Sequence, residues 1–197
     1  MCNDRIKLIY VLVSAIFLTA CGKQYDTPES GLGNLDISKD GKVEAVLIDD
    51  FSKDYYEENE LKAYIDSELS AYNSSHGADS VKFVSSELSG GIMKVMLSFA
   101  SIGDYDEFMP DLLFTGTVQE AYDRGYDIDQ ALTMADDPEH IIGKSDLMKM
   151  ADQSIMVFSG KKSIKVPGRI KYYTQSMRLT GEDTVEASED GTYIIIY

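Results

Sequence analysis

The sequence predicts an α+β fold. Residues 35–197 form a single globular domain with an antiparallel sheet ending in a C-terminal meander, one long amphipathic helix and several short helices. Three observations lead there. Leu61, Tyr64, Ile65, Leu69 and Tyr72 recur at helical spacing. From Ser154 onward, short apolar runs alternate with Ser159-Gly160, Pro167-Gly168, Thr180-Gly181 and Asp190-Gly191. Between these regions Gly125, Asp137-Pro138 and Gly143 punctuate an acidic stretch, so helix there comes in pieces.

The chain opens with Arg5 and Lys7, then an uncharged apolar run from Leu8 to Leu18. That run is about eleven residues, short of the roughly 20 a spanning helix needs, and it has the layout of a secretory signal. Leu18-Thr19-Ala20-Cys21 closes it and resembles the lipobox of bacterial lipoproteins, [LVI]-[AST]-[AG]-C. The resemblance covers residues 1–21 and implies cleavage after residue 20, with a diacylglycerol joined to the Cys21 thiol. It divides the chain into a signal peptide (1–20), a lipidated cysteine with a flexible tether (21–34), and the domain (35–197). Residues 22–34 carry three glycines and a proline without apolar periodicity. A flexible segment of that length spans roughly 20 Å, which holds the domain close to the membrane surface.

Along the domain, Asp40-Gly41 signals a turn into a strand over 43–48. Asp54 with Glu57 forms a capping-box pattern that opens the long helix, and Gly77 ends it. Gly90-Gly91 joins runs 80–88 and 92–100 as a hairpin. In the middle, Thr117 with Glu120 and Asp127 with Gln130 read as capping boxes, and Ser145 as the cap of a helix through Ala151. Strands are expected over 155–158, 163–166, 170–174, 177–179, 185–187 and 193–197. The last, Tyr-Ile-Ile-Ile-Tyr, is apolar on both faces and suits a central position. The domain's texture resembles that of small lipoproteins of anaerobic Gram-positive bacteria, a likeness that brings no activity and no catalytic residues.

Charge and cysteine content exclude whole classes of function. Without residues 1–20, the chain carries 16 basic and 33 acidic side chains, a net charge of −17. Such a surface repels polyanions, so nucleic acid is not an expected partner. Cys2 leaves with the signal and Cys21 is taken by lipid, leaving no thiol for disulfides, thiolate zinc or nucleophilic catalysis. His76 and His140 are the two histidines, too few for a three-histidine zinc site.

Candidate chemistry is sparse. Asp36-x-Ser38-x-Asp40-Gly41 mimics the start of a calcium loop, but Leu47 stands where the bidentate carboxylate belongs, which leaves a turn. Asp136, Asp137, Glu139 and His140 gather oxygen and imidazole donors and are weak candidate metal ligands. Met134, Met148, Met150 and Met156 lack a compact ligand spacing and read as core filler. No nucleophile elbow and no phosphate-cradling glycine loop occurs, and no cofactor is implied.

The strongest positive signal is charge segregation. Residues 101–139 hold eleven acids against Arg124, and residues 140–180 hold eight basic side chains against Asp146 and Asp152. Lys161, Lys162, Lys165, Arg169 and Lys171 concentrate on the expected meander and form a candidate membrane-facing basic patch, each charge adding roughly 1 kcal/mol near an anionic leaflet. The acidic stretch then faces a protein partner. The expected function is a membrane-anchored extracytoplasmic lipoprotein, a non-catalytic binding or scaffolding module of the cell envelope. The alternative is an envelope-acting hydrolase with a carboxylate-based site.

Overall fold

A computed structural model of the protein describes residues 32–197. The 1–20 segment, Cys21 and the tether through residue 31 lie outside the described residues. Strand β1 spans Gly33–Ile37.

The expected α+β class is corrected. The fold is mostly β, with thirteen strands in two sheets and four helices among the described residues. The acid-rich middle, expected to be helical, contributes β5 (Leu113–Thr117), β6 (Leu132–Met134) and β7 (Ile141–Ile142). Strands of two to five residues are too short to show a period of two. Partners distant in sequence, not local pattern, make them strands. By contact density the chain divides into two compact units, residues up to Leu35 with Gly41–Pro110, and Asp36–Asp40 with Asp111–Tyr197.

The first unit is built on strands in the order β1-β2-β4-β3, with β2 Val43–Asp50, β3 Val81–Ser89 and β4 Ile92–Phe99. The register pairs Val43 and Val81 with Phe99, and Ala45 and Phe83 with Leu97, so these side chains share one face. On that face Val43, Ala45, Val81, Met93, Val95, Leu97 and Phe99 are buried. The hairpin forms as expected: Gly90 and Gly91 take φ of 60° and 80°, the left-handed pair that a two-residue hairpin turn requires. A bulge between Phe83 and Ser85 inserts Val84 into β3.

Helix α1 (Glu58–His76) lies against β3, but it is not the amphipathic element expected. Of its nineteen residues only Leu61, Ile65 and Leu69 are buried. Tyr64 and Tyr72 stay partly exposed, so the apolar stripe narrows to a seam one side chain wide. The Asp54–Glu57 capping box does not form either; Glu57 holds the cap position without a side-chain hydrogen bond. Helix α2 (Ile102–Phe108) is capped by Ser101, whose Oγ accepts from the Asp104 amide, and it buries Tyr105 and Phe108 against Phe99.

In the second unit a six-strand sheet runs β5-β8-β13-β10-β6-β7, with β8 Ser154–Ser159, β10 Tyr172–Thr174 and β13 Thr192–Ile196. A second group runs β11-β12-β9, with β9 Lys162–Lys165, β11 Arg178–Leu179 and β12 Thr184–Ala187. The strands expected beyond Ser154 all form, but not as a meander. β13, the last in sequence, inserts between β8 and β10, antiparallel to both. Its Ile194, Ile195 and Ile196 are fully buried, which is why a strand apolar on both faces sits inside the sheet. Ile194 and Ile196 join Phe114, Val118, Ile128, Leu132, Ile155 and Val157 in one apolar cluster.

Helix α3 (Val118–Asp123) carries the expected Thr117–Glu120 capping box, both hydrogen bonds present. Asp127 and Gln130 open no helix. Asp127 Oδ1 instead accepts from the Asp129 amide in a turn, while Gln130 donates to the Thr192 carbonyl and accepts from Thr174 Oγ1. Helix α4 (Lys144–Leu147) starts from Gly143, two residues ahead of the expected Ser145 cap. Truncating Ile194 removes a fully buried side chain from the central strand, so Ile194→Ala is expected to cost about 2–5 kcal/mol by denaturant unfolding. Ile141→Ala, at a side chain 48% exposed, should cost a small fraction of that.

Candidate functional site

The second unit holds an open cleft of about 280 Å³ lined by Ala135, Asp136, Arg169, Ile170 and the turn from Leu179 to Glu182. Backbone hydrogen bonds fix its walls. Ala135 N donates to the Lys171 carbonyl and Ile170 N to the Glu182 carbonyl, each at 2.8 Å. Inside it, an Arg169 guanidinium nitrogen meets Asp136 Oδ1 at 2.8 Å. The cleft is at the small end of ligand-binding volumes, and its one cation is already held by its own carboxylate. With Arg169 paired to Asp136 and Glu182 the other acid in the lining, this arrangement offers recognition of a small polar group.

Asp136 is thus drawn into an ion pair, and the rest of the candidate metal group does not assemble around it. Asp137 accepts the His140 amide at 2.9 Å through its backbone carbonyl, which closes a turn. Asp136, Asp137, Glu139 and His140 are all exposed. Among the described residues no three His, Cys, Asp or Glu side chains come together to hold a metal. The Asp36-to-Gly41 segment runs from the end of β1 into a turn, with Ser38 Oγ donating to Asp40 Oδ1 and Gly41 at φ 82°.

The basic patch is dispersed and internally matched. Lys161 and Lys165 flank or lie on β9, whereas Lys171 leads into β10 in the other sheet. Lys161 pairs with Asp190 at 3.3 Å and Lys165 with Asp36 at 2.8 Å. Lys171 Nζ donates to Gln153 Oε1 at 2.6 Å and to the Tyr197 carbonyl at 3.2 Å. Exposed pairs of this kind contribute little to stability, but they weaken the positive field the linear sequence suggests.

Lys162 differs from its neighbours. Its side chain is 9% exposed and pairs with Asp111, 11% exposed, just ahead of β5. Burial pushes the Lys162 ammonium down to about 7, while the Asp111 carboxylate in contact opposes that change. The pairing was missed in the sequence, although a signal existed. Val166, Ile164 and Lys162 recur at a spacing of two, which puts the lysine on the buried row.

A second titratable cluster, also not anticipated, joins α1 to α2 in the first unit. His76 stacks on Tyr72 with ring centres 3.9 Å apart, and its Nε2 lies 3.0 Å from Glu107 Oε1. Tyr72 donates to Asp104 Oδ1 at 3.3 Å, and Ser101 donates to the other oxygen at 2.6 Å. Burial, then the charges of Asp104 and Glu107, push the Tyr72 hydroxyl up to about 12. The Tyr72 carbonyl raises His76 above its ordinary value, against burial, and Glu107 adds to the rise.

No family model, no curated protein and no solved structure matches the chain. Among the described residues no helix is long and apolar enough to cross a membrane.

Two expectations follow from the titratable groups. Asp111→Asn leaves a buried ammonium uncompensated and should cost about 3–5 kcal/mol, whereas Lys162→Met, which removes the charge altogether, should cost far less. With the carboxylate gone, Lys162 binds its proton less tightly folded than unfolded. Stability of Asp111→Asn should therefore rise with pH from about 7 to about 10, a slope that the added Lys162→Met change abolishes in denaturant titrations. His76 shifts in the opposite sense: its contribution is complete below the unfolded value of about 6.5 and is lost as pH climbs through the higher folded value. The melting temperature gap between the parent and His76→Gln should be wider at about pH 5.5 than at about pH 8.5.

Proposed function

We propose that the chain is a membrane-anchored extracytoplasmic lipoprotein whose folded part is a non-catalytic binding or scaffolding module of the cell envelope. The observation that carries this reading is Leu18-Thr19-Ala20-Cys21 at the end of an apolar run preceded by Arg5 and Lys7. Two acyl chains on one residue hold a protein at a bilayer stably, where one alone does so reversibly. Anchorage in this reading therefore rests on the lipid and does not need a basic face.

The binding role is supported by how the polar side chains are used. The cleft's arginine is spent on Asp136, and Lys161, Lys162 and Lys165 on Asp190, Asp111 and Asp36. The acid surplus of −17 is left to attract a cationic protein surface and to speed its encounter in a salt-dependent way.

The test is Cys21→Ser expressed in a bacterial host, followed by membrane fractionation and intact mass of the product. The expected outcome is loss from the membrane fraction, or accumulation of the uncleaved chain, with the acyl mass missing. A variant that stays in the membrane fraction with unchanged mass overturns the proposal.

A further inference from the structure

Strand β3 ends its sheet, with β4 on one side and no strand on the other among the described residues. Which of its backbone groups face outward follows from the ladder. Ala100 N donates to the Ser80 carbonyl, so Ser80 and every second residue after it bond inward to β4. Val81 accordingly faces out, and Asn73 of α1 closes it from both sides: Nδ2 donates to the Val81 carbonyl and Oδ1 accepts from the Val81 amide. Past the bulge the alternation resumes, so Phe83, Ser86 and Leu88 present their N–H and C=O groups away from β4.

The bulge has a second effect. Lys82 is opposite Ser98 and Glu87 is opposite Lys94, so both lie on the same face of the sheet although they are five positions apart. An edge read in one direction therefore shows lysine, two outward backbone sites, and glutamate. Read in the reverse direction, it shows the complementary series. Val84 and Leu88, 51% and 42% exposed, lie along the same edge, and Ile92, 48% exposed, lies at the hairpin end.

We propose that two copies of the chain pair antiparallel through their β3 edges, centred between Val84 and Ser85, with Lys82 of each copy opposite Glu87 of the other. In that register Phe83 of one copy faces Ser86 of the other, twice over. All four residues are outward-facing, so each pair exchanges two backbone hydrogen bonds. Lys82 and Glu87 fall at non-hydrogen-bonded positions, where opposite side chains approach most closely. Turned toward Lys82 of the other copy, Glu87 gains what it lacks: in its own copy its Oε1 is buried without a hydrogen-bond partner, and burial holds its carboxyl above the usual range against the pull of Lys94 opposite. Lys82 pairs in its own copy with Asp79, with side chains 55% and 79% exposed, and can leave it at little cost.

A bulge and a lysine ordinarily protect an edge from pairing. A symmetric partner removes both obstacles, because its own bulge stands at the same height and its glutamate meets the lysine. Asn73 limits the paired stretch to residues 82–87 in each copy, which keeps the pairing from propagating.

The test is the molar mass of the full chain, solubilised in detergent, by light scattering across a dilution series. The expected result is a two-chain particle. Lys82→Glu and Glu87→Lys should each weaken it by at least about tenfold, and the double exchange should restore it, with unfolding midpoints unchanged. A one-chain mass at the highest soluble concentration overturns the proposal. So does a dimer indifferent to either reversal, or one that the double exchange fails to restore.

Discussion

The second unit depends on one non-local pairing. β13 is the last strand in the chain, yet it takes a middle place in the six-strand sheet, held on one side by β8 and on the other by β10. Until it arrives, β8 and β10 have no common partner and the apolar cluster lacks Ile194 and Ile196. Gln130 ties the same junction from outside, reaching Thr192 of β13 and Thr174 of β10. Long-range closure of this kind makes a sheet cooperative, because no local segment can be stable ahead of the whole.

What the sequence discloses and what it conceals divide along the same line. Elements set by local chemistry were legible: the Gly90-Gly91 hairpin, the Thr117–Glu120 cap, and the six runs beyond Ser154 punctuated by glycine and proline. The central position of β13 was legible too, because an Ile-Ile-Ile core has no solvent face to offer. Strand order was not. Nothing in the runs themselves tells β10 to skip its sequence neighbour and pair with β13 and β6. The short strands β6 and β7 owe their existence to those partners and carry no pattern of their own.

Charge shows a similar contrast. In linear order the basic residues cluster, and the cluster invites a single electrostatic face. In three dimensions each draws a partner from elsewhere in the sequence: Asp190 for Lys161, Asp36 for Lys165, Asp136 for Arg169. Lys162 makes its pairing under cover, where losing one partner matters far more than it does at the surface. For the candidate site this means Asp136 and Arg169 were each singled out in the sequence, one as a weak candidate metal ligand and the other in the basic patch, but their meeting in one cleft was not.

Helix α1 is secured unequally at its two ends. At its start Glu57 gives no side-chain cap, whereas Asn73, near its end, is fastened to both backbone groups of Val81. With three buried residues along nineteen, little apolar contact resists opening in between. Native-state fluctuation therefore has a direction here. The amide protons near Glu58 and Glu60 are expected to exchange with solvent ahead of those of the final turn, with the helix entrance the first foothold for a protease that samples the folded chain.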